Sequence, residues 1–404
     1  MINYRDVVIV EGCRTAIGRM GGTLKPLHAN ELFGAVMNDL VRRTGIDKTE
    51  IDEIVAGQCR QSSDESNLAR FAALRAGFPE SVSGQTVMRQ CASAMTAVQT
   101  GMMEIASGLA DVVIAGGVES MSNGIFYVNS ARWGCGTGTV EFKDAITEGQ
   151  FNCQPQEMYG KFAMGVTAEN IAQKLGITRE EQDLLAYNSH MRATAAINEG
   201  KFKDEIVPIT VPQGKKKPPI VFDTDEFVRP DTTLEQLAKL KPVFREGGTV
   251  TAGNSSGRND AAAAVLMMTP EKAKELGLKP ICKIIGIGLA ACDPTLMGLG
   301  PVYAAPKALE MAGLTVDDMD VIELNEAFAA QALGCIKMLG WEDKMDIINP
   351  NGSGISLGHP IGCTGCRIIV TLMNELKRRG GKYGLATLCI GGGMGQATVI
   401  EMCE

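Results

Sequence analysis

A basic excess is the first thing missing. The chain sets 39 Lys and Arg against 47 Asp and Glu, a formal net charge of −8. A nucleic-acid binder needs the opposite balance, so no nucleic-acid partner is expected. Long apolar runs are missing as well. The longest, Ala261–Met268, falls far short of the ~20 residues a membrane-spanning helix needs. No leader is readable, because Asn3, Arg5 and Asp6 interrupt any apolar stretch and no Arg-rich segment precedes the first strand, so a cytoplasmic location is expected. Cys363 and Cys366 form a C-x-x-C with no second pair to complete a zinc site, and no metal is expected. Aromatic residues are scarce at 5%, and only three histidines, His28, His190 and His359, are available for imidazole chemistry.

What is present is 45% hydrophobic residues over 404 positions, enough for a globular chain of two or three lobes. The 47 glycines follow no collagen period and form no Gly/Ser linker, so they must serve turns and close backbone approaches. The twelve cysteines read as reduced thiols, most of them small core residues.

Strand-like and helix-like segments alternate: Val7–Val10, Glu31–Thr44, Ile54–Ala56, Leu68–Ala76, then Val112–Ala115 closed by Gly116-Gly117. This is an α/β pattern with buried sheets. The two ends of the chain also repeat each other. Ile51–Gly57 resembles Met319–Asn325, and Asp111–Gly117 resembles Leu385–Gly392. In each half a long apolar helix lies between these landmarks, Cys91–Gly108 and Cys363–Arg379. The resulting division is an N-terminal half from 1–122 and 249–275, a C-terminal half from 276–404, and an insert at 123–248 lying over one face of the repeats. The insert contains a helix near Arg179–Glu199 that opens with a capping box, Thr178 and Glu181. Its Lys215-Lys216-Lys217-Pro218-Pro219 stretch reads as a solvated surface turn.

Four segments carry candidate chemistry. In Val87–Met95 a strand gives way at once to a helix, with Cys91 at the junction. A helix N-terminus lowers a thiol's pKa and its free N–H groups can hold an oxyanion. Asn351–Gly362 places His359 in a glycine-rich loop before a helix, where it can serve as a base for a thiol. In Cys389-Ile390-Gly391-Gly392-Gly393-Met394-Gly395 a cysteine stands beside glycines that let a ligand approach the backbone. In Asn325-Glu326-Ala327-Phe328 the Asn can hold an oxygen or a water, or cap a helix.

Taken together and in this order, the segments resemble the thiolases. Met164–Asn170, Thr251–Gly257 and Arg14–Gly18 match as well. The resemblance spans essentially the whole chain. It implies two βαβαβαββ halves in a five-layered α/β/α/β/α core, with a loop domain between them. It implies acyl transfer between a cysteine and coenzyme A thioesters, either cleavage of a 3-oxoacyl-CoA or the reverse Claisen condensation. Cys91 would be the nucleophile, His359 its base, and Cys389 the second acid/base. Asn325, through a water, and His359 would form one oxyanion hole, and the N–H groups of Cys91 and Gly391 the other. Coenzyme A, a substrate and not a resident cofactor, would be met by Met164, Arg229, Ala252, Ser256, Ala327 and Phe328, with Arg229 at its phosphate or adenine. A homotetramer or homodimer is implied.

The chain departs from the family pattern at Met88, Ala94 and Ala163, where Asn, Gly and His are common. Those departures motivate a substrate larger than acetoacetyl-CoA, with a branched or aromatic acyl chain. Cys389 argues against a decarboxylating ketosynthase or a hydroxymethylglutaryl-CoA-type synthase. The complete set Cys91, His359, Cys389 and Asn325 argues against a non-catalytic subunit of an acyl-CoA-processing complex. Cys91 and Cys389 are further expected to face one cavity, close enough for oxidation to join them.

Overall fold

The computed structural model describes residues 4–214 and 216–403; Asn3 and Lys215 lie outside the described residues. The N-terminal sheet is built from β1 (Val8–Thr15), β2 (Glu53–Gly57), β3 (Ser83–Val87), β4 (Val112–Ser120) and β5 (Asn259–Met268). Its spatial order is β3-β2-β4-β5-β1. The C-terminal sheet contains β6 (Cys282–Ala291), β7 (Val321–Leu324), β8 (Tyr383–Ile390) and β9 (Met394–Met402), in the order β7-β8-β9-β6. A single parallel bridge from Ile322 to Ile348 stands where the other half has β3. Counted within each half, the strand order is therefore the same, 3-2-4-5-1, and the third strand of the second half is reduced to one bridge. The two sheets join edge to edge through two pairs, Val8↔Lys283 and Ile9↔Cys282.

Helices α1 (Ala29–Thr44) and α2 (Leu68–Arg75) cover the outside of the first sheet, and α3 (Ser93–Ser107) covers its inside. In the insert, α4 (Met164–Leu175) and α5 (Arg179–Asn198) follow. In the second half, α6 (Gly300–Ala312) and α7 (Ala329–Leu339) lie outside, and α8 (Thr364–Arg379) packs against α3 between the sheets. The layers run α/β/α/β/α. All ten residues of β5 are buried, the continuous apolar pattern of a strand covered on both faces.

The capping box of α5 is present, with Thr178 accepting from the Glu181 N–H and Glu181 accepting from the Thr178 N–H. Its helix packs on the second half: Ser189 Oγ donates to Glu326 at 2.6 Å, and Arg192 donates to the Ile348 carbonyl at 2.7 Å. Lys216 and Lys217 are exposed in their turn. Cys363 and Cys366 are both fully buried.

One sequence reading is corrected. β4 does not stop at Gly116-Gly117 but runs through them to Ser120, paired with β5 along its length. The glycines serve a close approach instead of a turn. A Cβ on Gly117 would meet the Ala94 Cβ at 2.7 Å and would overlap the Gly362 carbonyl. Ala94 lies three residues after Cys91 and Gly362 three after His359, so this bare backbone is where segments from the two halves converge.

Candidate active site

Cys91 follows β3 by a turn and precedes α3 by two residues. The turn is strained: Gln90 has φ +46, left-handed for a residue with a side chain. It is held by Ser93, whose Oγ donates to the Gln90 carbonyl at 2.7 Å and accepts from the Arg89 N–H at 2.9 Å. The Cys59 thiol donates to the Gln90 side-chain oxygen at 3.1 Å.

His359 is held from three sides. Its N–H donates to Asn259 Oδ1 at 3.0 Å. Gly358 has φ +110, and a Cβ there would press on the Asn259 amide. On the ring, Nδ1 lies 2.7 Å from Thr364 Oγ1. The one Thr364 hydroxyl proton is engaged by the Pro360 carbonyl at 3.0 Å, so the oxygen accepts from Nδ1–H. That leaves a lone pair on Nε2, which is buried without a hydrogen-bond partner. Burial, with Arg367 adding to it, pulls the His359 pKa down to about 3. The ring is thus a neutral base at pH 7.

Cys389 is the last but one residue of β8, fully buried, and the Gly391–Gly393 turn leads into β9. Burial pushes its thiol well up, and Cys91 adds to the effect. Burial also pushes the Cys91 thiol up to about 11. The N–H groups of Gly391 and of Cys91 itself, and the Arg60 charge, pull the other way. The lowered Cys91 pKa expected from the helix terminus is therefore corrected: enclosure outweighs the helix N-terminus, and Cys91 rests as a thiol.

Cys91, His359, Cys389 and Gly391 line one cavity of about 190 Å³, together with Met164, Ser256, Ala327 and Phe328. Asn325 is fully buried and does not line it; its Nδ2 touches the Nδ1 edge of His359 at 3.5 Å, and its Oδ1 has no partner. Arg229 and Ala252 are exposed and lie outside the wall. The Arg229 guanidinium stacks on Phe227 at 5.6 Å, and its N–H donates to His190 Nδ1. None of the three departures from the family pattern lines the cavity. Met88 is exposed over a separate surface recess, Ala94 is buried under Gly117, and Ala163 is the residue before α4.

Sequence reasoning missed Arg60, Gln90, Cys153, Phe244 and Arg258 in the wall. Cys153 stands out: a Cβ on Gly391 would meet its Sγ at 2.9 Å. Only the turn position of Gln90 carried a local signal; the others arrive by long-range packing. Among the described residues no cluster of His, Cys, Asp and Glu could hold a metal ion, and no helix is long and apolar enough to cross a membrane.

Residues 7–271 match the family model described as thiolase, N-terminal domain, and residues 278–402 match thiolase, C-terminal domain. An acetyl-CoA acetyltransferase of Syntrophomonas wolfei is 48% identical over 397 residues, covering 98% of this chain and 99% of that protein. The crystal structure of the Bacillus anthracis acetyl-CoA acetyltransferase superposes with a TM-score of 0.96 at 46% identity, covering 100% of both chains. That of the human mitochondrial 3-ketoacyl-CoA thiolase gives 0.94 at 39%, covering 99% of each. With a repeated fold, two thiols and a free imidazole meeting in one cavity, and relatives matched end to end, the chain belongs to the thiolase family.

Proposed function

We propose that this acyltransferase of coenzyme A thioesters cleaves 3-oxoacyl-CoA by way of an acyl-Cys91 intermediate, and runs the same steps backwards in condensation. The observation that carries the assignment of roles is the convergence of Cys91, His359 Nε2 and Cys389 on one cavity. The Cys91 proton passes to Nε2, and the thiolate adds to the C3 carbonyl. The N–H groups of Cys91 and Gly391 receive the oxyanion. Collapse breaks C2–C3, and the departing enolate takes the Cys389 proton to become acetyl-CoA. Asn325, through a water, and His359 stabilise that enolate oxygen; the unpartnered Asn325 Oδ1 supports this. Coenzyme A then returns its thiol proton to Cys389 and attacks the acyl-cysteine, while Cys91 regains its proton from His359.

Met164, Ser256, Ala327 and Phe328 hold the pantetheine arm, and Arg229 with Ala252 the outer part of coenzyme A. Residues 123–248 act as the loop domain over the two halves, 1–122 with 249–275 and 276–404. The acyl chain is longer than that of acetoacetyl-CoA. A homotetramer or homodimer in the cytoplasm completes the reading. Twelve unpaired cysteines and the exposed Phe126, Trp133 and Phe142 of the insert support this last part.

The test is thiolysis across a panel of 3-oxoacyl-CoAs. Cys91→Ala should abolish turnover on all of them and Cys91 should become acylated in the wild type. A strong preference for acetoacetyl-CoA would overturn the longer-chain reading. Sedimentation as a monomer would overturn the oligomer.

A further inference from the structure

The cavity wall is mostly apolar, yet Arg60 stands in it beside Gln90, Cys91 and Cys153. Its Nε is buried without a hydrogen-bond partner, and none of the ion pairs among the described residues includes it. The neighbouring acid, Glu119, is already engaged: its carboxylate accepts the backbone N–H groups of Cys59, Arg60 and Gly362 at 3.0–3.1 Å. The guanidinium has a prepared place. It lies over Gly149, where a Cβ would meet its Cζ at 2.5 Å. On its far side is the surface recess of Met88, Ile125 and Ala145. Its Nε is enclosed, while the residue as a whole is half-buried and borders that recess, so a carboxylate entering the cavity would meet a permanent charge that can receive it with paired, charge-assisted hydrogen bonds. The other cation of the wall, Arg258, differs in being exposed; Arg60 also lends its charge to Glu119, without an ion pair between them.

We propose that Arg60 selects a 3-oxoacyl-CoA whose acyl chain ends in a carboxylate, receiving that carboxylate in the cavity while Cys91 attacks the 3-oxo carbon. This rests on the thiolase reading above and deepens it by naming the acyl class. It also gives the longer acyl chain a physical reason that Met88, Ala94 and Ala163 do not supply.

The matched probes are 3-oxoadipyl-CoA and 3-oxohexanoyl-CoA, six-carbon chains that differ in the terminal carboxylate. Wild-type kcat/KM for thiolysis should favour 3-oxoadipyl-CoA by about 10-fold or more, the discrimination expected of a paired, charge-assisted contact. Arg60→Leu should lose about 100-fold on 3-oxoadipyl-CoA and change less than about 3-fold on 3-oxohexanoyl-CoA. Arg60→Lys, which keeps the charge without the fork, should fall between them. A wild-type preference for 3-oxohexanoyl-CoA overturns the proposal whether or not either variant folds. So does an equal loss on both probes, which would place the guanidinium in the service of the Cys91 thiol. Turnover of acetoacetyl-CoA without turnover of either probe would overturn the proposal and leave the thiolase reading standing. Failure on every 3-oxoacyl-CoA would overturn that reading itself.

Discussion

Cys91 holds its proton at rest, because enclosure costs the thiolate more than the N–H groups of Gly391 and Cys91 and the Arg60 charge return to it. Its alkylation by iodoacetamide should therefore keep accelerating from pH 8 towards about 11. A plateau near the ordinary thiol value of about 8.5 would contradict this. The base is set by a second contact, from Nδ1 to Thr364. Thr364→Val keeps the shape and removes the acceptor, so kcat should drop by about 10–100-fold while KM for coenzyme A stays put. Thr364→Ser should restore the rate; a variant in which kcat and KM move together would make Thr364 merely structural. Cys91, His359 and Cys389 were legible in the sequence because each sits in or beside a turn whose neighbours announce a backbone junction. Arg60 and Cys153 were not. They stand in the same wall through packing between the first sheet and the insert, and nothing beside them in the chain marks that meeting.

Among the elements, the turn between β8 and β9 shows how tightly the site is assembled. Gly391→Ala should push against Cys153 Sγ, which lies 2.9 Å from the position of the added carbon. Overpacking of this kind costs about 1–3 kcal/mol. Here the strain falls on the Gly391 N–H proposed to hold the oxyanion, so the expected result is a lower kcat in an enzyme that still folds. Cys153→Gly in the same chain should recover part of the loss, and strictly additive effects would show that the two do not touch. Helices α1, α2, α3, α5 and α8 were readable to within a few residues, α5 through its cap, whereas α4 and α6 were not read. β4 was read too short, since Gly116-Gly117 looks like a stop when only chain neighbours are considered. The third strand of the second half was not read at all: one bridge at Ile348 leaves no alternating run to find.

At the scale of the whole molecule, buried charge ties the insert to the core. Arg14 is fully enclosed between Glu205 at 2.6 Å and Asp225 at 2.8 Å. Arg14→Met should cost about 3–5 kcal/mol in urea unfolding, because two acids are left without their cation; a loss under about 1 kcal/mol would contradict it. His190 offers a pH handle. Burial, with Arg229 adding to it, lowers its pKa from 6.5 to about 4. The unfolded chain therefore binds its proton first as pH falls, and stability drains away from about pH 6.5 towards 4. Between pH 7 and 5 the wild type should lose about 2 kcal/mol relative to His190→Gln. Parallel pH profiles would exclude this. Finally, β1 completes its main pairing only with β5, across the whole insert. On a ribosome moving at roughly 5–20 residues per second, β1 waits roughly 13–51 s after Thr15 for Met268 to be made. During that interval the helix behind Cys91 has no finished sheet to lie on and no α8 to cover it. The nascent chain thus shows the apolar faces of β1 to β4 until β5 is made, which makes chaperone dependence during synthesis a property of the strand order itself.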